Sequence, residues 1–278
     1  MSLLQIIVLA CVQGIAELLP VSSSAHVILA EKAMGLDPTA PAMTLLLVML
    51  HTGTMFAVIA YFWKSWRATY FSSAAAFKRN GWQTLVATIA TGVVGLLLLE
   101  VIKRVFVPDA SKFEVEQLFG NARLMAASLA VAGVLIIWSS LRAGRVQGEL
   151  STASALGIGA VQGLCLPFRG FSRSGATISA GMLLGVQRLR AEEFSFALAV
   201  VLTPAVVAKE ALRLVHAQAG TGVSLSSVLV PSLLGMALSF LAGLVALRWL
   251  SRWLEQGRWH FFGVYCLLAS VAVWTWGQ

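Results

Sequence analysis

Hydrophobic residues in this chain form long uninterrupted blocks and do not alternate with polar residues. Five blocks contain no Asp, Glu, Lys or Arg: residues 38–63, 80–99, 124–141, 214–247 and 259–278. Crossing the hydrocarbon core of a bilayer takes about 20 apolar residues in a helix, and lipid leaves an open strand without hydrogen-bond partners. The blocks therefore predict an all-α, polytopic membrane protein and argue against a soluble domain.

Two further segments, residues 2–34 and 152–187, are apolar runs that Pro, Gly and Ser interrupt in the middle. Each predicts two half-helices meeting at a polar turn, which is tolerated at membrane depth only inside protein or along a cavity. About six spanning helices and two re-entrant broken helix pairs are therefore expected. Three candidate spans follow each broken pair: roughly 40–63, 82–104 and 121–141, then 194–214, 226–249 and 259–277.

The two broken segments resemble each other. Val12-Gln13-Gly14 recurs 149 residues later as Val161-Gln162-Gly163, and the same offset places Ser23 on Ser172. We predict a single transmembrane domain, 1–278, with internal repeat halves at about 1–145 and 146–278. If each broken pair enters and leaves on one face, each half crosses three times and the second half is inverted. Transporter folds build sites near the bilayer midplane from such repeats.

Composition and charge agree with a membrane protein. Charged residues make up 12% of the chain, against about 25% in soluble proteins. The net charge of +8 would suit nucleic acid, but the basic residues lie in short clusters at block ends, as Lys64, Arg67, Lys78 and Arg79 do. No nucleic-acid partner is expected. Eleven basic residues fall on one face of the predicted topology and seven on the other, which the positive-inside rule interprets as both termini outside the cytoplasm.

The first broken segment carries one ionisable residue at membrane depth. Glu17 is the single charged side chain within residues 1–30. It follows Gln13 by four residues, and positions i and i+4 share a helix face. Pro20 ends this half-helix before a serine-rich turn that leads to His26. A charge in membrane-depth sequence indicates function, whereas the alternative is a loop end with capping serines.

The second broken segment combines glycine, arginine and hydroxyl residues. Glycine lets a backbone approach a ligand, and a helix N-terminus presents N–H groups with partial positive charge. The guanidinium of arginine is a planar donor fork that matches phosphate oxygens. The segment therefore predicts an anion cradle, or alternatively an interfacial loop that touches lipid headgroups. Its members are Arg169, Gly170, Ser172, Arg173, Ser174 and Thr177.

Together the two motifs resemble those of the bacterial undecaprenyl pyrophosphate phosphatase family of the bacitracin-resistance type. The family pattern is Glu/Gln-x-x-x-Glu, then Pro-Val-Ser-Ser-x-x-His, then Pro-Gly-x-Ser-Arg-Ser-x-x-Thr. The stretches 13–17, 19–26 and 170–177 carry the match, and length and span pattern extend it over the whole chain. One position departs from the family pattern. Arg169 stands where the family usually has Pro, and the proline of this chain is Pro167.

The resemblance implies a multi-pass enzyme of the bacterial inner membrane that converts undecaprenyl pyrophosphate to undecaprenyl phosphate and inorganic phosphate. This reaction would recycle the lipid carrier for cell-wall polymers, use a divalent cation, and take place at a site open to the extracytoplasmic side. We expect Glu17 to hold Mg²⁺ or Ca²⁺, helped by the neutral amide of Gln13.

Catalysis is expected at Glu17, Ser23, His26 and Arg173. His26 is a candidate general acid or base, or a phosphoryl acceptor, and Ser23 is the rival nucleophile, activated by His26 or Glu17. Phosphate binding is expected from Ser22, Arg169, Gly170, Ser172, Ser174 and Thr177.

Alternatives remain open at this level. The same cradle would suit a transporter of undecaprenyl phosphate, or a phosphatase of shorter isoprenoid diphosphates. His51 falls within a predicted span, where it either lines the cavity or bonds to a neighbouring helix. A homodimer is also left open.

Overall fold

The computed structural model describes residues 1–36, 41–106, 121–142, 148–168, 170–218 and 225–276. Regular structure in these ranges is helical, apart from one isolated bridge between Gly148 and Val186. The helices are α1 (Leu3–Leu18), α2 (Ser23–Ala33), α3 (Pro41–Tyr70), α4 (Ala74–Phe106), α5 (Ala122–Arg142), α6 (Thr152–Cys165), α7 (Arg173–Leu183), α8 (Arg188–Gln218), α9 (Leu225–Glu255) and α10 (His260–Trp276).

Four of these helices are long and apolar enough to cross a membrane, namely Met43–Tyr70, Ala74–Val105, Ala122–Arg142 and Leu229–Glu255. The other two predicted spans fall on α8, which contains Pro204, and on the shorter apolar helix α10; residue 277 lies outside the described ranges. The outward faces are apolar as well, as the exposed side chains of α4 illustrate. The prediction of an all-helical, polytopic membrane protein is confirmed.

Both predicted broken segments form two helices separated by a short turn, and the members of each pair contact each other. Helix α1 ends at Leu18, where Leu19 adopts an extended conformation before Pro20. This is expected because proline disfavours the helical conformation in the residue before it. Helix α7 begins at Arg173, directly after its N-cap residue Ser172.

The two pairs share structural details at the same 149-residue offset as their sequences. Ser2 caps α1 and Ser151 caps α6, each through a capping box. Helices α2 and α7 each contain 11 residues, although α7 begins 150 residues after α2. These matches support the internal repeat, while its halves and its inverted arrangement stay predictions.

Gly14 and Gly163 also match at this offset, and each lets its helix approach a facing helix closely. A Cβ atom on Gly14 would lie 2.6 Å from the Cβ of Ala242 in α9. One on Gly163 would lie 2.8 Å from the Cβ of Val94 in α4. Helix α1 thus packs on α9, and α6 packs on α4, which holds the matching place in the predicted repeat.

The chain divides into two compact units. The first contains Met1–Leu19, Ser23–Trp63 and Ala199–Leu250. Its apolar core joins α1, α2 and the first part of α3 and thereby supports the helices of the first motif. The buried residues of this core are Ile6, Leu9, Ala10, Val27, Met43, Leu46 and Leu50.

The second unit contains Pro20–Ser22, Lys64–Leu198 and Ser251–Gln278. Here α4 packs on α6, α5 packs on α10, and α7 contacts both α5 and α6. Gly133 and Gly263 let α5 and α10 approach closely, since a Cβ atom on Gly133 would lie 2.8 Å from the carbonyl oxygen of Gly263. Helix α7, which begins the second motif, is enclosed by this packing and is buried from residue 174 to residue 182.

Candidate active site

Glu17 is the centre of a polar cluster in the first unit. Its Oε2 accepts a hydrogen bond of 2.5 Å from Ser23 Oγ and one of 3.3 Å from Gln13 Nε2. The predicted shared face of Gln13 and Glu17 is therefore confirmed. The turn after α1 folds the chain back so that Ser23, the first residue of α2, directs its hydroxyl at the carboxylate.

His51 lies beside the same carboxylate oxygen. Its Nε2 is 3.8 Å from Glu17 Oε2, and its Nδ1 is 2.8 Å from the carbonyl oxygen of Leu47. The sequence showed only that this histidine falls within a span. Its place next to Glu17 depends on how α3 packs against α1, which no spacing along the chain reveals.

His26 lies one turn after Ser23 in α2. Residues three apart in a helix are neighbours on its surface, so the two side chains share a face. Both are half-buried. The hydroxyl of Ser23 donates a hydrogen bond to Glu17, one of its two candidate bases, and the choice between Glu17 and His26 stays a prediction.

The turn between α1 and α2 carries backbone strain. Ser22 has φ 66° and is the one described residue other than glycine with a positive φ. Such conformations cost on the order of 1–3 kcal/mol and cluster at functional sites. The preceding turn residue, Pro20, accepts a hydrogen bond of 3.1 Å from Cys266 Sγ through its carbonyl oxygen.

The second unit holds the predicted anion cradle. Gly170 has φ 105°, and any Cβ at this position would collide with the carbonyl oxygen of Met125. Ser172 caps α7 by accepting a hydrogen bond of 3.2 Å from the N–H of Gly175, and its Oγ is 3.5 Å from the Oγ of Ser174. Ser172 and Ser174 are both buried. Arg169 lies outside the described residues.

Arg173 is the first residue of α7 and is half-buried. Its carbonyl oxygen accepts a hydrogen bond of 2.8 Å from Thr177 Oγ1, which also lies 2.6 Å from Ser195 Oγ. Thr177 therefore directs its hydroxyl toward the protein interior. Nothing in the sequence couples Ser195 to this motif, because the contact depends on the packing of α8 against α7.

The structure thus groups Gln13, Glu17 and Ser23 in one unit, and Gly170, Ser172, Arg173, Ser174 and Thr177 in the other. Ser22, in the strained turn, belongs to the second unit. The roles assigned to these residues from the sequence stay predictions.

The donors around Glu17 fit a hard divalent cation. The cluster comprises the carboxylate of Glu17, the amide of Gln13 and the hydroxyl of Ser23. Mg²⁺ and Ca²⁺ prefer oxygen ligands, and each of these three groups has an oxygen. Among the described residues no group of three or more His, Cys, Asp or Glu side chains is suited to a metal ion. Proteins commonly hold Mg²⁺ through one or two carboxylates together with substrate phosphates, and the Mg²⁺ or Ca²⁺ ion expected at Glu17 stays a prediction.

The chain is similar to known proteins over nearly its whole length. Residues 6–272 match the family described as Bacitracin resistance protein BacA. The chain is 63% identical to Undecaprenyl-diphosphatase 2 of Acinetobacter baylyi, over 99% of this chain and 98% of that protein. It is 35% identical to Undecaprenyl-diphosphatase 1 of Burkholderia pseudomallei, over 99% of this chain and 97% of that protein. The similarity covers both polar motifs.

Proposed function

Because the chain belongs to the BacA bacitracin resistance family, we propose that it is an integral membrane enzyme that hydrolyses undecaprenyl pyrophosphate to undecaprenyl phosphate and inorganic phosphate. The names of the two relatives support this reaction. The structural observation that carries the proposal is the 2.5 Å hydrogen bond from Ser23 Oγ to Glu17 Oε2. A hydroxyl directed at a carboxylate is the arrangement expected of an activated nucleophile.

Substrate binding falls to the second motif. Arg173, at the N-terminus of α7, supplies a planar fork for two phosphate oxygens, and the helix terminus adds partial positive charge. The hydroxyls of Ser172 and Ser174 add neutral donors. Ser22 and Gly170 contribute through the turns that precede α2 and α7, and Arg169 adds a second cation for the phosphates. The isoprenoid tail remains in the hydrocarbon region, so only the pyrophosphate needs polar contacts.

In the first step, Ser23 Oγ attacks the terminal phosphorus while its proton passes to Glu17. The bond from that phosphorus to the bridging oxygen breaks, and undecaprenyl phosphate leaves with the electron pair. In the second step, water attacks the phosphoserine and gives its proton to His26, while Ser23 Oγ recovers its proton from Glu17. Inorganic phosphate then leaves, and His26 releases its proton to water.

Glu17, helped by Gln13, is the residue that would hold Mg²⁺ or Ca²⁺. Bound there, the cation would supply charge neutralisation for the pyrophosphate. A carboxylate has two oxygens and about four acceptor directions, so accepting the Ser23 proton and ligating a cation are compatible.

We also propose the bacterial inner membrane as the location, with the site open to the extracytoplasmic side. The support is the excess of basic residues in the loops assigned to the cytoplasmic face. A homodimer belongs to the same set of proposals.

The test is phosphate release from undecaprenyl pyrophosphate by the purified chain in detergent, with Mg²⁺ or Ca²⁺ added back after chelation. Ser23→Ala is expected to lose nearly all turnover, whereas Ser24→Ala, in the next and similarly half-buried position, keeps most of it. Equal activity of the two variants would contradict the serine route.

The same assay separates the enzyme from a transporter. Detergent abolishes translocation because it removes the two compartments, so phosphate release under these conditions requires hydrolysis. A protein that binds the lipid and releases no phosphate would support a transporter of undecaprenyl phosphate. Equal turnover of farnesyl pyrophosphate would support the wider class of isoprenoid diphosphates.

A further inference from the structure

Helix α7 is unusual because its hydroxyl residues are buried together with its small residues. Ser174, Thr177 and Ser179 are at most 2% exposed. A buried hydroxyl without a partner costs about 1–3 kcal/mol, so each such group is expected to have one. The partners of these hydroxyls show how the helix is held.

At the N-terminal end of α7 the partner is Ser195 of α8. Thr177 Oγ1 is 2.6 Å from Ser195 Oγ and donates to the carbonyl oxygen of Arg173 at 2.8 Å. A hydroxyl has one proton to donate. If Thr177 gives its proton to Arg173, then Ser195 is the donor to Thr177. Ser195 and Thr177 are both fully buried.

Ser195 itself lies on a firmly held part of α8. Arg190 Nη2 donates to Asn80 Oδ1 of α4 at 2.6 Å, and Arg190 Nη1 is 2.9 Å from Glu193 Oε2. Trp66 Nε1 of α3 donates to the carbonyl oxygen of Glu193 at 3.4 Å. Residues 191–197 are all buried. The first turns of α8 are therefore a rigid base for whatever Ser195 holds.

We propose that Ser195 is a positioning residue that acts through Thr177 to fix the first turn of α7, and with it the direction of the Arg173 guanidinium. This inference rests on the proposed role of Arg173 as the phosphate fork. A fork that must make two parallel hydrogen bonds tolerates little displacement, and misplacement by about 1 Å can cost on the order of 10²-fold in rate. Thr177 is then a positioning residue as well, because its hydroxyl bonds to Ser195 and to the carbonyl oxygen of Arg173 inside the protein.

A second group of buried hydroxyls, two residues farther along α7, provides a matched control. Ser139 Oγ of α5 donates to Ser179 Oγ at 2.9 Å, and Trp259 Nε1 donates to both hydroxyls, at 3.2 Å and 3.1 Å. These hydroxyls are as deeply buried as Ser195 and Thr177. Ser179 lies six residues after Arg173, whereas Thr177 lies four residues after it and bonds to its carbonyl oxygen. Loss of Ser139 should therefore affect stability without affecting the fork.

The experiment compares Ser195→Ala, Thr177→Val, Thr177→Ser and Ser139→Ala as purified proteins in detergent. Thermal unfolding is measured with kcat and KM for undecaprenyl pyrophosphate at a fixed Mg²⁺ concentration. Ser195→Ala and Thr177→Val are expected to lose roughly 10- to 100-fold in kcat/KM. Thr177→Ser, which keeps the hydroxyl, should recover most of that loss, and Ser139→Ala should stay near wild type.

A double-mutant cycle of Ser195→Ala with Arg173→Lys separates a positioning role of Ser195 from a purely structural one. If Ser195 acts through the guanidinium, its substitution should cost much less in the Arg173→Lys background than in the wild type. Equal losses in both backgrounds, or equal losses for Ser195→Ala and Ser139→Ala, would overturn the inference. If Ser195→Ala does not fold, the nearly isosteric Thr177→Val carries the same test.

Different results would refute the phosphate-binding role of Arg173 and the positioning role of Ser195. Normal turnover of Arg173→Lys would refute the phosphate fork and, with it, this inference. A large loss for Arg173→Lys with normal turnover of Ser195→Ala and Thr177→Val would refute only the positioning role.

Discussion

Glu17 concentrates three polar contacts on one carboxylate oxygen: the amide of Gln13, the hydroxyl of Ser23 and, at 3.8 Å, the imidazole of His51. An isolated carboxylate at membrane depth is costly. Its retention there is understandable if the charge is used by the reaction. Removing the charge while keeping the shape should therefore affect catalysis more than folding.

Glu17→Gln is expected to abolish turnover at ordinary Mg²⁺ or Ca²⁺ concentrations. The amide neither accepts the Ser23 proton nor holds a hard cation as a carboxylate does. Phosphate release across a cation titration measures this, with thermal unfolding as the check on folding. Gln13→Ala should be milder, because a neutral amide contributes less to cation binding. Full activity of Glu17→Gln would exclude Glu17 as base and as main ligand.

Arg173→Lys keeps the charge and loses the planar fork. If two phosphate oxygens are held at once, this change should lower kcat/KM by on the order of 10²-fold, as removal of one catalytic donor commonly does. Arg169→Ala is expected to retain more activity, since we assign Arg169 an auxiliary role. The measurement is phosphate release with substrate varied at fixed cation. Near-normal turnover of Arg173→Lys would mean that a point charge suffices.

At the scale of elements, the turn into α7 depends on one glycine. Gly170 has a positive φ, and a side chain there would meet the carbonyl oxygen of Met125 in α5. Both effects act on the segment that leads directly to Ser172 and Arg173. A change at this position should therefore affect stability and substrate binding together.

Gly170→Ala is expected to lower the free energy of unfolding by about 1–3 kcal/mol, because alanine strains the left-handed backbone conformation. Its KM should rise with this loss. Gly92→Ala in α4 is the matched control, since nothing lies within 4 Å of a Cβ there and alanine favours a helix by up to about 1 kcal/mol over glycine. Thermal unfolding in detergent compares the two. Unfolding of Gly170→Ala at the wild-type temperature would contradict the strain argument.

At the scale of the whole molecule, the distribution of basic residues predicts the orientation in the membrane. Tags at residues 1 and 278 should both be accessible from outside the cytoplasm, and a tag near Ala75, at the start of α4, should be protected. The measurement is labelling of tagged protein in intact cells and after permeabilisation. Termini on opposite sides would refute the inverted repeat and leave the phosphatase proposal intact.

The sequence by itself determined the membrane class, the broken helix pairs and the positions of both motifs. Lipid requires every span to be apolar along its whole length, and a break at Pro20 or a glycine before Ser172 acts locally. Each of these features can therefore be recognised from a short stretch of sequence. The shared face of Gln13 and Glu17 was predictable for the same reason, because it follows from helix periodicity alone.

Only the tertiary structure decided which side chains meet across helices. His51 approaches Glu17, and Ser195 meets Thr177, because α3 and α8 pack where they do. The spans are apolar on all sides, so the hydrophobic pattern contains little information about which face of a helix is turned inward. In a membrane protein, burial against protein and exposure to lipid favour the same residues, and packing chooses between them.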